Sequence, residues 1–533
     1  MFDALTLHRR TTLLASFLCL ALSSACADNP TGGGGSGEGP EGPVNQGPVL
    51  PPRMDGSATA GRDVFRFETF NNERFFTDAL RLPAGMVAAG VTPRQLLALG
   101  VNIDSDMLPP AIRTGIAAGS AAILDDPAMT LAILNANAVV GIPVKDSNGD
   151  GVLNIGNGDK AGGTCAMCHT RTDENAIFSI PGGGSVGPRL DGRATHNLNF
   201  GKLIALAANS RALYPLLQLS LAANGGKSLG RAPTGLTGTS TEAQVDAYLS
   251  NPDFYPVGMF DDTFDGNGDP MHNVPLFRQD LAAPFGSEGA IARLDNFSNL
   301  VYTGLLDPTT LTTPGGRAFL NKLGGAAGNE IADTYVQVLA ATGVTGYPYV
   351  TAAPSPLAGQ EDAPLGIRVD NTKLINMNAY LASLPAPAGA ATDATGRAVF
   401  RSTSAGCTSC HNVDQGRPVP TFIVPMKTIF PGDNPEQLAT RTPPLNPVLN
   451  TAASIFDDKM AIVNASIRGD IRGTALPLLL DLAKKPVFLH DNSVPSLESL
   501  LDGSRGALAP HPFYVTTTAQ RAALITYLRG LST

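Results

Sequence analysis

Apolar residues recur at helical spacing in several stretches of the chain and alternate at strand spacing in almost none. The stretches 93–99, 126–139, 202–208, 242–249, 315–323, 331–341 and 475–483 each read as a helix. Two patterns occur twice. Gly61-x-x-Val64-Phe65 returns as Gly396-x-x-Val399-Phe400, and Tyr380-Leu381-x-x-Leu384 returns as Tyr527-Leu528-x-x-Leu531. The expected fold class is mainly α, with two domains and long loops.

The punctuation between these stretches sets the expected boundaries. His8, Arg9 and Arg10 form a short basic region ahead of an apolar run at 13–25, which is too short to span a membrane. Residues 1–26 therefore read as an export signal. Ser23-Ser24-Ala25-Cys26 resembles a lipobox, with Ser23 where Leu is usual; Ala25-Cys26-Ala27 also fits ordinary signal cleavage. Residues 27–53 are rich in Gly, Pro, Ser and Glu and read as a flexible tether, which suits a lipid anchor on Cys26. A second linker after Pro385 divides an N-terminal domain, 54–385, from a C-terminal domain, 386–533. The expected location is the periplasm or cell envelope of a bacterium, anchored by lipid.

Composition narrows the function. The chain has 533 residues, 58 Gly, 42 Pro and a formal net charge of -9, so nucleic acid is a poor partner. Of six cysteines, Cys19 and Cys26 lie in the export region. The other four form Cys165-x-x-Cys168-His169 and Cys407-x-x-Cys410-His411. Thiols three positions apart reach the two vinyl groups of one haem, and the following His falls under the iron. The expectation is two haem c groups, attached through Cys165, Cys168, Cys407 and Cys410, with His169 and His411 as proximal ligands. Candidate sixth ligands are His511, stiffened by Pro510 and Pro512, and His196. Met426 and Met460 are further candidates near the second motif, and an open iron on one haem is the alternative.

Both repeated patterns resemble the terminal helices of cytochrome c domains. The order of motifs over 160–533 resembles the bacterial di-haem cytochrome c peroxidase superfamily, which includes the di-haem enzyme that matures tryptophan tryptophylquinone and the di-haem rubber oxygenases. Phe488-Leu489-His490-Asp491-Asn492-Ser493-Val494-Pro495-Ser496-Leu497-Glu498 carries the resemblance, with Ser-Val-Pro as in the rubber oxygenases. The chain departs from the family in three places. Ser504 stands where a Met, His or Tyr ligand is usual. The chain has no Trp at all, so the family's bridging Trp is missing, and Ser287 stands at the nearest match. Phe297 replaces a Gln. The resemblance puts the family's catalytic Glu near Asp307, with Glu288 and Glu174 as other candidate acids.

One loop suggests calcium. Asp146-x-Asn148-x-Asp150-Gly151-Val152-x-Asn154-x-x-Asn157 places oxygen ligands at alternate positions, with the Val152 carbonyl among them. The twelfth position is Asn157 instead of Glu, and Asp159 is a substitute. Residues 265–270 hold a weaker echo. The functional expectation is electron transfer with a redox partner protein or a small-molecule acceptor. The alternative is a di-haem peroxidase or oxygenase with one open iron.

Overall fold

The computed structural model describes residues 53–531 apart from 218–236, 253–254, 256, 262–269, 283–284, 287–290, 292, 325, 355–362, 388–392, 412–422, 426–472, 476, 490–493, 510 and 516. All of them belong to one unit, Val44–Thr533. Helices carry most of the regular backbone, and every strand is two or three residues long. The largest sheet among the described residues has three strands: Ser185–Gly187 pairs parallel with Ile103–Asp104 and antiparallel with Phe178–Ser179.

The two repeated patterns form two helix pairs with matching contacts. Helix Ala58–Phe67 packs on Asn371–Ser383, and helix Ala394–Phe400 packs on Thr518–Arg529. A Cβ on Gly61 would lie 1.8 Å from the Asn376 carbonyl oxygen; a Cβ on Gly396 would lie 2.0 Å from that of Ala523. Both distances are far inside van der Waals contact, so only glycine fits. Four residues further along each helix, Phe65 meets Tyr380 with ring centroids 5.8 Å apart, and Phe400 meets Tyr527 at 6.0 Å. The same glycine-to-backbone and aromatic-to-tyrosine contacts thus recur at both pairs.

Buried apolar side chains form three clusters. The first includes Phe75, Leu97, Ile103 and Tyr335. The second surrounds the first helix pair with Phe65, Tyr302, Met377 and Tyr380. The third surrounds the second pair with Phe400, Leu497, Leu524 and Tyr527. Two of the clusters draw on residues 64–386 and the third on 399–528.

Several helices have different limits from those the apolar spacing suggests. The expected helix at 126–139 is Pro127–Asn135, ended where Asn137 turns left-handed at φ 53°. The expected helix at 202–208 is Phe200–Ile204. The stretch 475–483 is not a helix. Gly473–Ala475 pairs with Ile423–Pro425 as a strand, and residues 477–480 are irregular. Pro477 removes an N–H from the run, and Asp481 is left-handed at φ 58° with its carboxylate held by Arg193.

Candidate cofactor sites

The first motif is one helical turn. The His169 N–H donates to the Cys165 carbonyl at 3.1 Å, which brings both thiols and the imidazole onto a short helix, Ala166–His169. The turn is clamped from several sides. Asn72 bonds both the N–H and the carbonyl of Gly163, at 2.9 Å each. Gly141, at φ 79°, lets its backbone approach Met167; a Cβ there would lie 2.2 Å from Met167 Cα. The free carbonyls at the end of the turn accept from Thr195 N, 3.0 Å to Cys168, and Gly192 N, 2.8 Å to His169. Cys165 packs on the second apolar cluster and Cys168 on the first, so the motif lies in the seam between them.

The His169 ring is aimed by the backbone. Its Nδ1 lies 2.8 Å from the Val274 carbonyl. A carbonyl only accepts, so Nδ1 carries the proton and Nε2 keeps the lone pair a metal would use. The neighbouring Asn273 amide bonds Thr195, at 3.3 Å to the hydroxyl and 3.4 Å to the carbonyl, and so fixes the segment that supplies this carbonyl.

A buried carboxylate ties the motif to the first helix pair. Asp191 accepts from Arg66 Nε at 2.5 Å, from the Tyr380 hydroxyl at 2.6 Å and from the Thr170 hydroxyl at 2.8 Å. Burial and the adjacent Asp191 charge raise the Tyr380 pKa, which keeps its hydroxyl a donor.

The second motif repeats the turn. The His411 N–H donates to the Cys407 carbonyl at 2.9 Å, and Gly406 enters the turn at φ 70°. Phe513 lies against Gly406, where a Cβ would meet its ring at 3.2 Å. His511 stands beside it, ring centroids 5.2 Å apart, with a left-handed backbone at φ 55°. A side chain held in that region is usually over-determined by its surroundings. Phe488 and Val494 pair across the loop that holds His490, and His490 lies outside the described residues.

All four cysteines are free thiols and partly exposed. Burial pushes Cys165 up to about 11, Cys168 to about 12 and Cys407 to about 11. A redox dithiol has the opposite character, a depressed pKa that supplies thiolate. Among the described residues no three His, Cys, Asp or Glu side chains converge on one point.

The candidate sixth ligands share one property. His196 and His511 each have a buried Nδ1 with no hydrogen-bond partner. Burial first, then Lys485, Arg171 and His169, push His196 down to about 3. Burial first, then His411 and Arg505, push His511 down to about 3. Burial likewise pushes His169 and His411 down to about 4. All four rings are therefore neutral at pH 7, the form that ligates metal.

The candidate acids fare differently. Asp307 is fully buried, and its oxygens accept from the Tyr349, Val350 and Thr309 N–H groups and the Thr309 hydroxyl at 2.5–3.2 Å. It caps the turn Pro308–Thr312. Glu174 is exposed, and Glu288 lies outside the described residues, as do Met426 and Met460.

In the 146–157 loop the oxygens face the loop's own backbone. Asp146 accepts from Gly149 and Gly151 N–H at 2.7 and 2.9 Å, Asn148 from Asp150, Asp150 from Val152, and Asn154 from Gly156. The Asn157 amide donates to Asp150 at 3.0 Å. The Asp159 carboxylate accepts from the Ser147, Asn148 and Asn154 N–H groups. The weaker echo at 265–270 falls largely outside the described residues.

The Tyr302 hydroxyl lies 3.6 Å from Cys165 Sγ. Sequence reasoning missed the Val274 carbonyl beside His169 and Lys485 beside His272 at 3.0 Å. Both partners are distant in sequence, and no local pattern marks them. Comparison of the chain with family models, curated proteins and solved structures gives no match.

Proposed function

We propose that the chain is an exported di-haem c-type cytochrome that transfers electrons. One haem is attached to Cys165 and Cys168 with His169 on the iron, and the other to Cys407 and Cys410 with His411. The observation that carries this reading is the pair of buried Nδ1 atoms without a hydrogen-bond partner on His196 and His511. An orphaned polar atom costs about 1–3 kcal/mol, and a metal is a partner that removes the cost.

Each haem supplies an iron that cycles between ferric and ferrous states. The protein's residues hold and orient it. The cysteines anchor the ring covalently. Val274 fixes the His169 tautomer, and Asp191 with Arg66 and Tyr380 locks the motif to its helix pair. His196 and His511 are assigned as sixth ligands, which closes both irons to substrate and favours electron transfer over catalysis. The commitment of Asp307 to backbone N–H groups supports the same choice, because general acid catalysis loses a candidate. The partner is a redox protein or a small-molecule acceptor. The apolar run at 13–25 and the tether support export to the periplasm or cell envelope with a lipid on Cys26. Among the described residues no helix is long and apolar enough to cross a membrane.

The test is expression with haem-attachment machinery, followed by a pyridine haemochrome assay and EPR of the oxidised protein. Two haems per chain with two low-spin signals are expected. A stable high-spin signal that shifts with peroxide or cyanide sinks the electron-carrier reading in favour of an open iron.

A further inference from the structure

The irregular segment 477–488 carries two polar contacts, one buried and one half-buried, to the neighbourhood of the first motif. The Asp481 carboxylate accepts from Arg193 Nε at 3.2 Å and Nη2 at 3.3 Å, and both side chains are buried. Arg193 lies just before His196 in the chain. One turn of chain later, Lys485 Nζ lies 3.0 Å from His272 Nε2. The His272 ring in turn tilts against His196, with centroids 5.6 Å apart and planes at 59°. An ammonium only donates, so His272 Nε2 accepts and the neutral ring carries its proton on Nδ1.

The charge on Lys485 is unusual. Burial pulls its pKa down to about 8, and among the described residues no carboxylate counters that pull, since Asp481 is held by Arg193. The amine is still mainly cationic at pH 7. A half-buried cation that faces a histidine instead of a carboxylate is a costly arrangement that calls for a functional reason.

We propose that Lys485 is a positioning residue for the first haem, supplied by the C-terminal part of the chain: its ammonium holds the His272 ring against His196 and keeps a positive charge beside that site, which raises that haem's reduction potential. The inference rests on the di-haem reading. The physics is Coulombic: a fixed cation stabilises the ferrous form, which carries one more electron than the ferric. It follows by linkage that reduction of the first haem tightens the seating of segment 477–488, because each state favours the other.

The experiment uses the full chain with both haems attached and follows the two haems by spectroelectrochemical titration and EPR. Lys485→Met is expected to move one reductive wave to lower potential, to alter one low-spin EPR signal and to leave the other haem unchanged. Lys485→Arg, which keeps the charge, is expected to restore the wave to near its original position. Should Lys485→Met fail to accumulate, Lys485→Gln removes the same charge with a polar side chain and is expected to lower the same wave. Two unmoved waves, an equal shift of both, or a shift that Lys485→Arg does not restore would overturn the proposal. The haemochrome count separates the two failures. Fewer than two haems in the unmodified chain sinks the di-haem reading itself, whereas two haems with unmoved waves sinks only the role of Lys485.

Discussion

At the first motif the histidine ring is already aimed. Val274 holds His169 Nδ1, Asn72 and Gly141 clamp the turn, Asp191 ties it to the helix pair, and two apolar clusters meet along it. At the second motif the described contacts are fewer: the turn from Cys407 to His411, Phe513 against Gly406, and one cluster behind Cys407. Yet the helix pair behind each motif has the same glycine and aromatic contacts. The comparison teaches that the helix pair is the unit common to both regions, and that at the first motif further side chains and backbone groups hold the turn against it.

The largest effect comes from removing attachment. Cys165→Ala with Cys168→Ala, and Cys407→Ala with Cys410→Ala, are each expected to leave one covalent haem per chain by haem staining and haemochrome assay. Each pair is also expected to lower Tm, because a group bound to the folded chain stabilises it. An unchanged Tm for either pair would separate that haem from the fold around its helix pair.

The Asp191 junction comes next. Asp191→Asn leaves Arg66 without its carboxylate partner and weakens the bonds from Tyr380 and Thr170. One-sided removal of a buried pair costs about 3 kcal/mol, the low end of its usual range, because Arg66 keeps some exposure. Denaturant unfolding measures the loss. A change under about 0.5 kcal/mol would place Asp191 among ordinary surface substitutions and remove it from the site's frame.

Gly61→Ala and Gly396→Ala test the shared unit directly. Each methyl collides with backbone that cannot yield cheaply, and each is expected to cost about 1–3 kcal/mol by overpacking. Similar costs at the two positions would support equivalence of the helix pairs. A cost at Gly61 alone would mean that the second pair is looser than the first.

How much of this was legible in the sequence depends on the range of the interaction. The helix pairs were, because glycine and the aromatic sit four residues apart on one helix face and the pattern repeats. The motif turns were too, since Cys-x-x-Cys-His is local. Asp307 looked like a candidate acid only by its order in the chain; its capture by Tyr349 and Val350 depends on a loop 42 residues away. The 475–483 stretch has helical spacing, but Asp481 reaches back to Arg193, and that long-range ion pair fixes a left-handed residue there. Local periodicity carries no information about such partners.

The smallest expected effect is calcium at the 146–157 loop, which lies just ahead of the first motif and has no counterpart at the second among the described residues. Asp146, Asn148 and Asp150 keep the alternate spacing of a calcium loop, and their bonds to Gly149, Gly151 and Val152 N–H groups hold the turn. The bidentate twelfth ligand is missing, and Asp159 is turned to the backbone. Fewer anionic ligands weaken binding, so a dissociation constant of about 0.1–1 mM is expected, in the range of weak extracellular modules. Calorimetric titration of the unmodified protein and of Asp146→Ala measures it. Because the strand Lys160–Ala161 connects this loop to Cys165, saturating calcium is expected to raise Tm slightly and to leave the second haem's spectrum unchanged. Heat that persists in Asp146→Ala, or a calcium-induced change at the second haem, would detach the ion from the first site and cost the comparison one of its differences.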